Sequence, residues 1–366
     1  MPLDLKEELN PEQYHAASTI EGPLLIIAGA GSGKTRTITF RIAHMLEQGI
    51  PQSAILALTF TNKAAREMAE RIRQLTGKRL SNITISTFHA FGVQVLRHHI
   101  EHLGYKKNFS IYDQTDKMSL LKEVARELKI SHDDVDFYYL AQLFSDVKTR
   151  RTEWSSELRG LKPFYQEYQE HLQVYNAVDF DDLIMLPIEL FEHYPEVLSY
   201  YRKKFRYIMV DEFQDTSLSQ YRMVKLLAEE SRNLCVVGDD DQSIYSWRGA
   251  NYLNIVNFES DFPERVEIKL EQNYRSTRHI LEAANSLIAH NKNRKSKNLW
   301  TGIQGGKALE LYYPEDELRE ADFISEMIKT LVVREKYRYH DFGILVRTNS
   351  LSAAIENALL TENIPY

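Results

Sequence analysis

The residues in this chain best suited to chemistry are Lys34 and Thr35, which close a loop holding Gly29, Gly31 and Gly33, and the adjacent carboxylates Asp211 and Glu212, which end an apolar stretch far along the chain. Glycines let backbone N–H groups converge on an anion, and a helix N-terminus adds partial positive charge. A lysine there reaches the β- and γ-phosphates, and a threonine hydroxyl can ligate Mg²⁺. An aspartate at a strand tip can hold Mg²⁺ through water, and the glutamate beside it is placed to orient and deprotonate an attacking water. Together they describe hydrolysis of a nucleoside triphosphate. Candidate nucleotide contacts run from Ala28 through Gly29, Ala30, Gly31, Ser32, Gly33, Lys34 and Thr35 to Arg36. Lys34, Asp211 and Glu212 are the candidate catalytic residues, and Thr35 and Asp211 the candidate metal ligands. The usual spacing has glycine where Ala28 stands, but that position ends a strand and needs no positive φ. A glycine-rich turn without ligand and a solvated strand edge are the plainer readings, and each half of the pattern weakens the plain reading of the other.

Further candidates follow later strands. Gln242, beyond NLCVVG, could sense a γ-phosphate, and Arg275, beyond VEIKL, could stabilise charge in phosphoryl transfer. Tyr274 offers a ring to a nucleobase. Gln13 has the donor and acceptor that suit an adenine edge, although the local sequence favours an exposed helix residue. Tyr245, Trp247 and Arg248 suit stacking on single-stranded bases and gripping phosphate. Thr61, Asn62 and Lys63 at one strand end, and Thr87, Phe88 and His89 at another, could follow a phosphodiester backbone; helix capping by Thr61 or Thr87 is the alternative. His98 and His102 stand four apart on a helix, but no further ligand pattern accompanies them.

These residues need a scaffold of strands feeding loops. Leu24 to Ala28 reads as a strand buried on both faces, followed by a helix with Ile38, Ile42, Met45 and Leu46 on one side. Ala54 to Phe60, Ile83 to Thr87, the run ending at Val210, the run ending at Gly238, and Val266 to Leu270 read as further strands alternating with helices. That alternation predicts an α/β fold with a parallel, doubly wound sheet whose ligands gather at the strand C-terminal ends. Residues 91–205 read instead as helices (Asp116 to Leu128, Asp136 to Thr149, Glu157 to Tyr175, Phe180 to Tyr194), an inserted domain whose tyrosines 138, 139, 165, 168 and 175 are expected in or near its core. Beyond Ser276 a second domain begins, with strands expected at 308–313 and 342–347 and helices around them. Its basic loop, Asn291 to Asn298, reads as a solvated turn. Two strands make a poor sheet, so the chain is expected to be part of a longer protein.

With 366 residues, there is length for two or three domains. The net charge of −7 gives no global support for nucleic-acid binding and leaves a local basic groove open. The single cysteine, Cys235, reads as a buried strand residue. No apolar run of about 18 residues and no signal-like N-terminus occur, so the expected location is the cytoplasm, without a membrane role.

Taken together, the motifs resemble the UvrD/Rep/PcrA group of superfamily 1 DNA helicases. LNPEQ is similar to their Q motif, AGAGSGKT to motif I and LTFTNKAAREM to motif Ia; TFHAF, VDFDDLI, VDEFQDT, VVGDDDQSIYSWRGA, LEQNYRST and ILVRTNS follow in family order. The resemblance implies a RecA-like motor domain (1–90 and 206–275), the helical insertion between its halves, and the start of a second RecA-like domain (276–366). It implies that Gln13 and Tyr274 contact the adenine of ATP, and that Gln242 and Arg275 sense the γ-phosphate. Phe60, Asn62, Thr87, His89, Tyr245, Trp247 and Arg248 would line a single-stranded DNA path. The implied activity is ATP- and Mg²⁺-dependent, 3'-to-5' unwinding at single-strand/duplex junctions, with repair or replication proteins as possible partners. The family's motifs V and VI, with a second γ-phosphate arginine, lie outside these residues. The alternatives are a nucleotide-gated DNA-binding module without unwinding, or the motor part of a helicase–nuclease subunit. A GTPase fits worse: Asn62-Lys63 begins a guanine-reading NKxD pattern, but Ala65 stands at the aspartate.

Overall fold

Every residue of β1 (Leu24–Ala28) is buried, as a central strand of a sheet covered on both faces requires. In the computed structural model, which describes residues 4–131, 135–243, 253–291 and 294–366, β1 is followed by β2 (Ile55–Thr59), β3 (Thr84–Thr87), two short strands β4 (Ser110–Ile111) and β5 (Ala177–Val178), then β6 (Tyr207–Val210), β7 (Leu234–Gly238) and β8 (Val266–Leu270). Six of them form one sheet in the order β3-β2-β6-β7-β1-β8, with every neighbouring pair parallel. The expected doubly wound sheet is present, and its strand ends bring the glycine-rich turn after β1, Asp211 and the loop after Gly238 to one edge.

Side chains alternate along β1 as the strand period demands. Leu25 and Ile27 enter a core shared with Phe91, Leu190, Val224 and Phe258. Leu24, Ile26 and Ala28 enter the opposite one, with Ile38, Ile42, Met68 and Cys235. The helices Phe88–His99, Asp182–His193 and Pro195–Lys204 contribute to the first core, so much of 91–205 packs on the sheet. The insertion's own core is narrower. It is built by Gln114–Glu127, Phe137–Lys148 and Lys162–Val174 around Leu121, Phe144, Tyr168 and Leu172. Within β5 the switch is made by adjacent residues, Ala177 facing the insertion's core and Val178 the sheet's. Of the insertion's tyrosines, Tyr168 is fully buried and Tyr165 half-buried, whereas Tyr138, Tyr139 and Tyr175 are exposed.

The chain divides into two compact units, Met1–Gly306 and Lys307–Tyr366. In the second, Glu317–Glu335 packs against Ser352–Thr361 through Ala321, Ile328, Ile355 and Leu359. The strands expected at 308–313 and 342–347 are not formed, and Leu345 is 98% exposed. Strand propensity is realised only with a ladder partner and an apolar cover, and no strand occurs among the described residues of this unit.

Candidate nucleotide-hydrolysis site

Between β1 and the helix Lys34–Glu47 the chain turns through Gly31 (φ +69°) and Gly33 (φ +84°), both left-handed. Such angles, uncommon for residues bearing a Cβ, let the backbone curl around an anion. Ser32 Oγ donates to the Gly29 carbonyl at 2.8 Å, closing the turn on itself. The loop is also held from outside. Gln13 Nε2 donates to the Ser32 carbonyl at 2.8 Å, and its Oε1 accepts from the Asn10 N–H at 3.3 Å in a reciprocal cap. Gln13 is 2% exposed, which corrects the reading of an exposed helix residue: the tertiary contact with the loop buries it. Arg36 is engaged elsewhere, its guanidinium 2.7 Å from Glu8 and stacked over Phe40.

Opposite the loop, beyond β6, Asp211 is buried, and the Lys34 charge and the Thr35 hydroxyl only partly offset the cost of ionising it there. Burial, reinforced by the Glu212 charge, pushes its carboxyl up to about 6. Glu212 takes φ +52°, a left-handed conformation unusual for a non-glycine residue. Its carboxylate lies 3.4 Å from Lys34 Nζ and accepts from Gln214 Nε2 at 2.8 Å. Asp215 is likewise pushed up to about 6 by burial and by Glu212. Asp211 and Asp215 thus share the neighbourhood of Glu212 and Lys34, and there burial and the Glu212 charge disfavour ionisation of both.

The remaining walls come from β7 and β8. Gln242 Nε2 donates to Asp239 Oδ2 at 2.6 Å, and the Asp239 N–H donates to Gln214 Oε1 at 2.9 Å. After β8, buried Asn273 donates through Nδ2 to the Ala30 carbonyl at 2.6 Å, while its Oδ1 accepts from the N–H groups of Arg275 and Ser276. Tyr274 N–H donates to the Gly31 carbonyl, and its hydroxyl accepts from Asn10 Nδ2 at 2.8 Å. Asn10, Gln214 and Asn273 lay outside the sequence candidates.

At the ends of β2 and β3, Thr61 and Thr87 cap their helices, accepting from the N–H groups of Ala64 and Ala90. Asn62 and Lys63 are exposed, and Phe60 is half-buried. Phe88 is sunk in the core beneath β3, which makes it a packing residue rather than a stacking surface. His89 is held below its ordinary pKa by burial, with its ring centroid 5.7 Å from that of exposed Phe180. Tyr245, Trp247 and Arg248 lie outside the described residues. His98 Nδ1 lies 2.7 Å from the Gln94 carbonyl, and the His102 ring lies tilted against that of Tyr194, 4.8 Å between centroids; neither is in a metal-ligating group among the described residues. The basic loop is not a solvated turn in its described part: Lys297 is buried against Asp239, Asp240 and Asp241, because only paired charge neutralises so acidic a loop.

A family model for the UvrD/REP helicase N-terminal domain matches residues 9–263, across the phosphate loop, Asp211, Glu212 and Gln242. The chain belongs to the UvrD/REP helicase family. A UvrD-like helicase C-terminal domain model matches residues 268–366. The chain is 46% identical to the ATP-dependent DNA helicase PcrA of Staphylococcus aureus over 99% of its own length and 51% of that protein's. It is equally similar to the PcrA proteins of Bacillus subtilis, over 98% of this chain and 50% of the relative, and Staphylococcus epidermidis, over 99% and 51%. The chain thus spans about half the length of these UvrD/REP relatives. No helix among the described residues is long and apolar enough to cross a membrane.

Proposed function

We propose that these residues are the ATP-hydrolysing motor core of a 3'-to-5' DNA helicase that travels along single-stranded DNA and opens duplex junctions, serving DNA repair or replication in the cytoplasm. The observation that carries the reading is Glu212, held in a left-handed backbone between Lys34 and Gln214 at the mouth of the phosphate loop. Phosphate arriving in the loop would draw Lys34 away from Glu212, freeing that carboxylate to accept a proton from water. Gln242 and Arg275 would register the γ-phosphate, and Tyr274 and Gln13 would frame the base. Mg²⁺ fits between Thr35 and Asp211, because the buried Asp211 carboxyl lacks a full counter-charge while Lys34 is committed to Glu212. Bound there, the ion would neutralise charge on the β- and γ-phosphate oxygens.

Asn62, Lys63, Thr87, His89 and Phe60 would form the floor of the DNA path, with Tyr245, Trp247 and Arg248 stacking bases. Residues 1–90 with 206–275 would form the first motor domain and 276–366 the start of the second. Unwinding belongs to the proposal for the whole protein; for these 366 residues it is ATP and single-strand binding with turnover. Two substitutions test the site. Lys34→Ala is expected to abolish ATP turnover, and Glu212→Gln to keep Mg²⁺-ATP binding while turnover falls at least about a hundredfold, the scale of a lost general base. Turnover retained by either variant would contradict the assignment.

A further inference from the structure

Residues 294–300, the described end of the basic loop and the two residues after it, link two walls of the site. Lys297 Nζ lies 2.9 Å from Asp239 Oδ1, 2.5 Å from Asp240 Oδ1 and 2.7 Å from Asp241 Oδ2, with its side chain 1% exposed. Arg294 grips Asp241 with two further bonds, at 2.8 and 2.7 Å. Asp239 is shared. Its Oδ1 meets Lys297, and its Oδ2 accepts from Gln242 Nε2 at 2.6 Å.

Past Lys297, the same segment reaches the phosphate loop. Leu299 lies against Gly29 so closely that a Cβ there would come within 2.0 Å of Leu299 Cδ2. The Trp300 carbonyl accepts from the Asn273 N–H at 2.7 Å, and Asn273 in turn holds the Ala30 carbonyl. Burying an ammonium among three carboxylates is a costly way to stabilise a fold, and its best-attested use is to fix one arrangement against others.

We propose that Lys297 is a positioning residue for Gln242: by fixing the Asp239 carboxylate it sets the orientation of the Gln242 amide, and through residues 298–300 it ties that amide to the phosphate loop. The proposal rests on the nucleotide-site reading above. With one N–H committed to Asp239, Gln242 keeps its other N–H and its carbonyl oxygen for a γ-phosphate and a water. Lys297 itself touches neither. Its removal therefore affects ligands that carry a γ-phosphate and spares those that do not.

The test is equilibrium binding of ADP and of a non-hydrolysable ATP analogue, with Mg²⁺, to the 366-residue chain. Lys297→Met is expected to lower the preference for the analogue over ADP by about tenfold, the worth of one charge-assisted hydrogen bond, and to leave ADP affinity within about twofold. Lys297→Arg should restore most of the preference, and in a Gln242→Ala background Lys297→Met should add nothing. If Lys297→Met loses its native circular dichroism, the charge-balanced pair Lys297→Met with Asp240→Asn is read in its place. Equal loss of ADP and analogue affinity, or a full further loss on top of Gln242→Ala, would overturn the proposal by making Lys297 merely structural. If the unsubstituted chain binds neither nucleotide, the site reading itself fails, and this proposal with it.

Discussion

At Asp211, the fold holds a proton more tightly than the unfolded chain does, because burial and Glu212 push the carboxyl up to about 6 from an ordinary 3.8. Ionising it in the folded state therefore costs stability, which falls as pH rises from about 4 to about 6 and stays lower above that. Two pKa units correspond to ~3 kcal/mol as an upper bound. Asp211→Asn is expected to match the unsubstituted chain near pH 4 and to exceed it by ~1–3 kcal/mol at about pH 7.5. Thermal midpoints across that range check this, and a variant less stable at the higher pH would contradict it. Gly31 makes a second residue-scale case. Alanine there meets both a left-handed φ of +69° and Asn273 Nδ2 at 2.5 Å, whereas Gly77 has a similar φ of +62° and open space around it. Gly77→Ala should cost only the conformational ~1–2 kcal/mol. Gly31→Ala should cost more and weaken nucleotide binding as well; equal effects in denaturant unfolding would show that Asn273 does not brace the loop.

The joint between sheet and insertion is an element-scale device. Lys148, on the helix Phe137–Lys148, lies 2.9 Å from both Asp179 and Asp182, and the Tyr168 hydroxyl donates to Asp179 at 2.9 Å. Burial works to raise both acids; Asp182 is raised, with Asp179 adding to the push, while Lys148 and Lys117 outweigh burial at Asp179 and hold it low. Lys148→Met would leave this buried pair without its main counter-charge and is expected to cost ~3–5 kcal/mol in urea unfolding; a change below about 1 kcal/mol would show that the joint is held by packing alone. Elements of this kind were only partly legible beforehand. Strands and helices followed from apolar period and capping residues, and Val266–Leu270 coincides with its expected bounds. The insertion's true core did not follow, because helical periodicity says which face is apolar and not which core it joins. The strands at 308–313 and 342–347 failed for a related reason: pattern supplies propensity, and pairing has to come from a neighbour.

Across the whole molecule, the site is assembled from residues far apart in the chain, and distance in sequence governed what could be read. Lys34, Thr35, Asp211 and Glu212 sit inside motifs whose spacing is local, so residue type and spacing were enough to nominate them as candidates. Asn10 reaches Tyr274 across 264 positions, and Lys297 reaches Asp240 across 57. Nothing in NKNRKSKN or in GDDDQ says that each neutralises the other; either alone reads as solvated charge. The parallel sheet resolves this by delivering every strand end to one edge. The measurement that tests the central claim most directly is ATP hydrolysis by the 366-residue chain with and without single-stranded DNA. The expected result is Mg²⁺-dependent turnover that rises when single-stranded DNA is added. Turnover indifferent to DNA, or no turnover at all, would contradict a motor core in which the phosphate loop and the DNA path share one sheet edge.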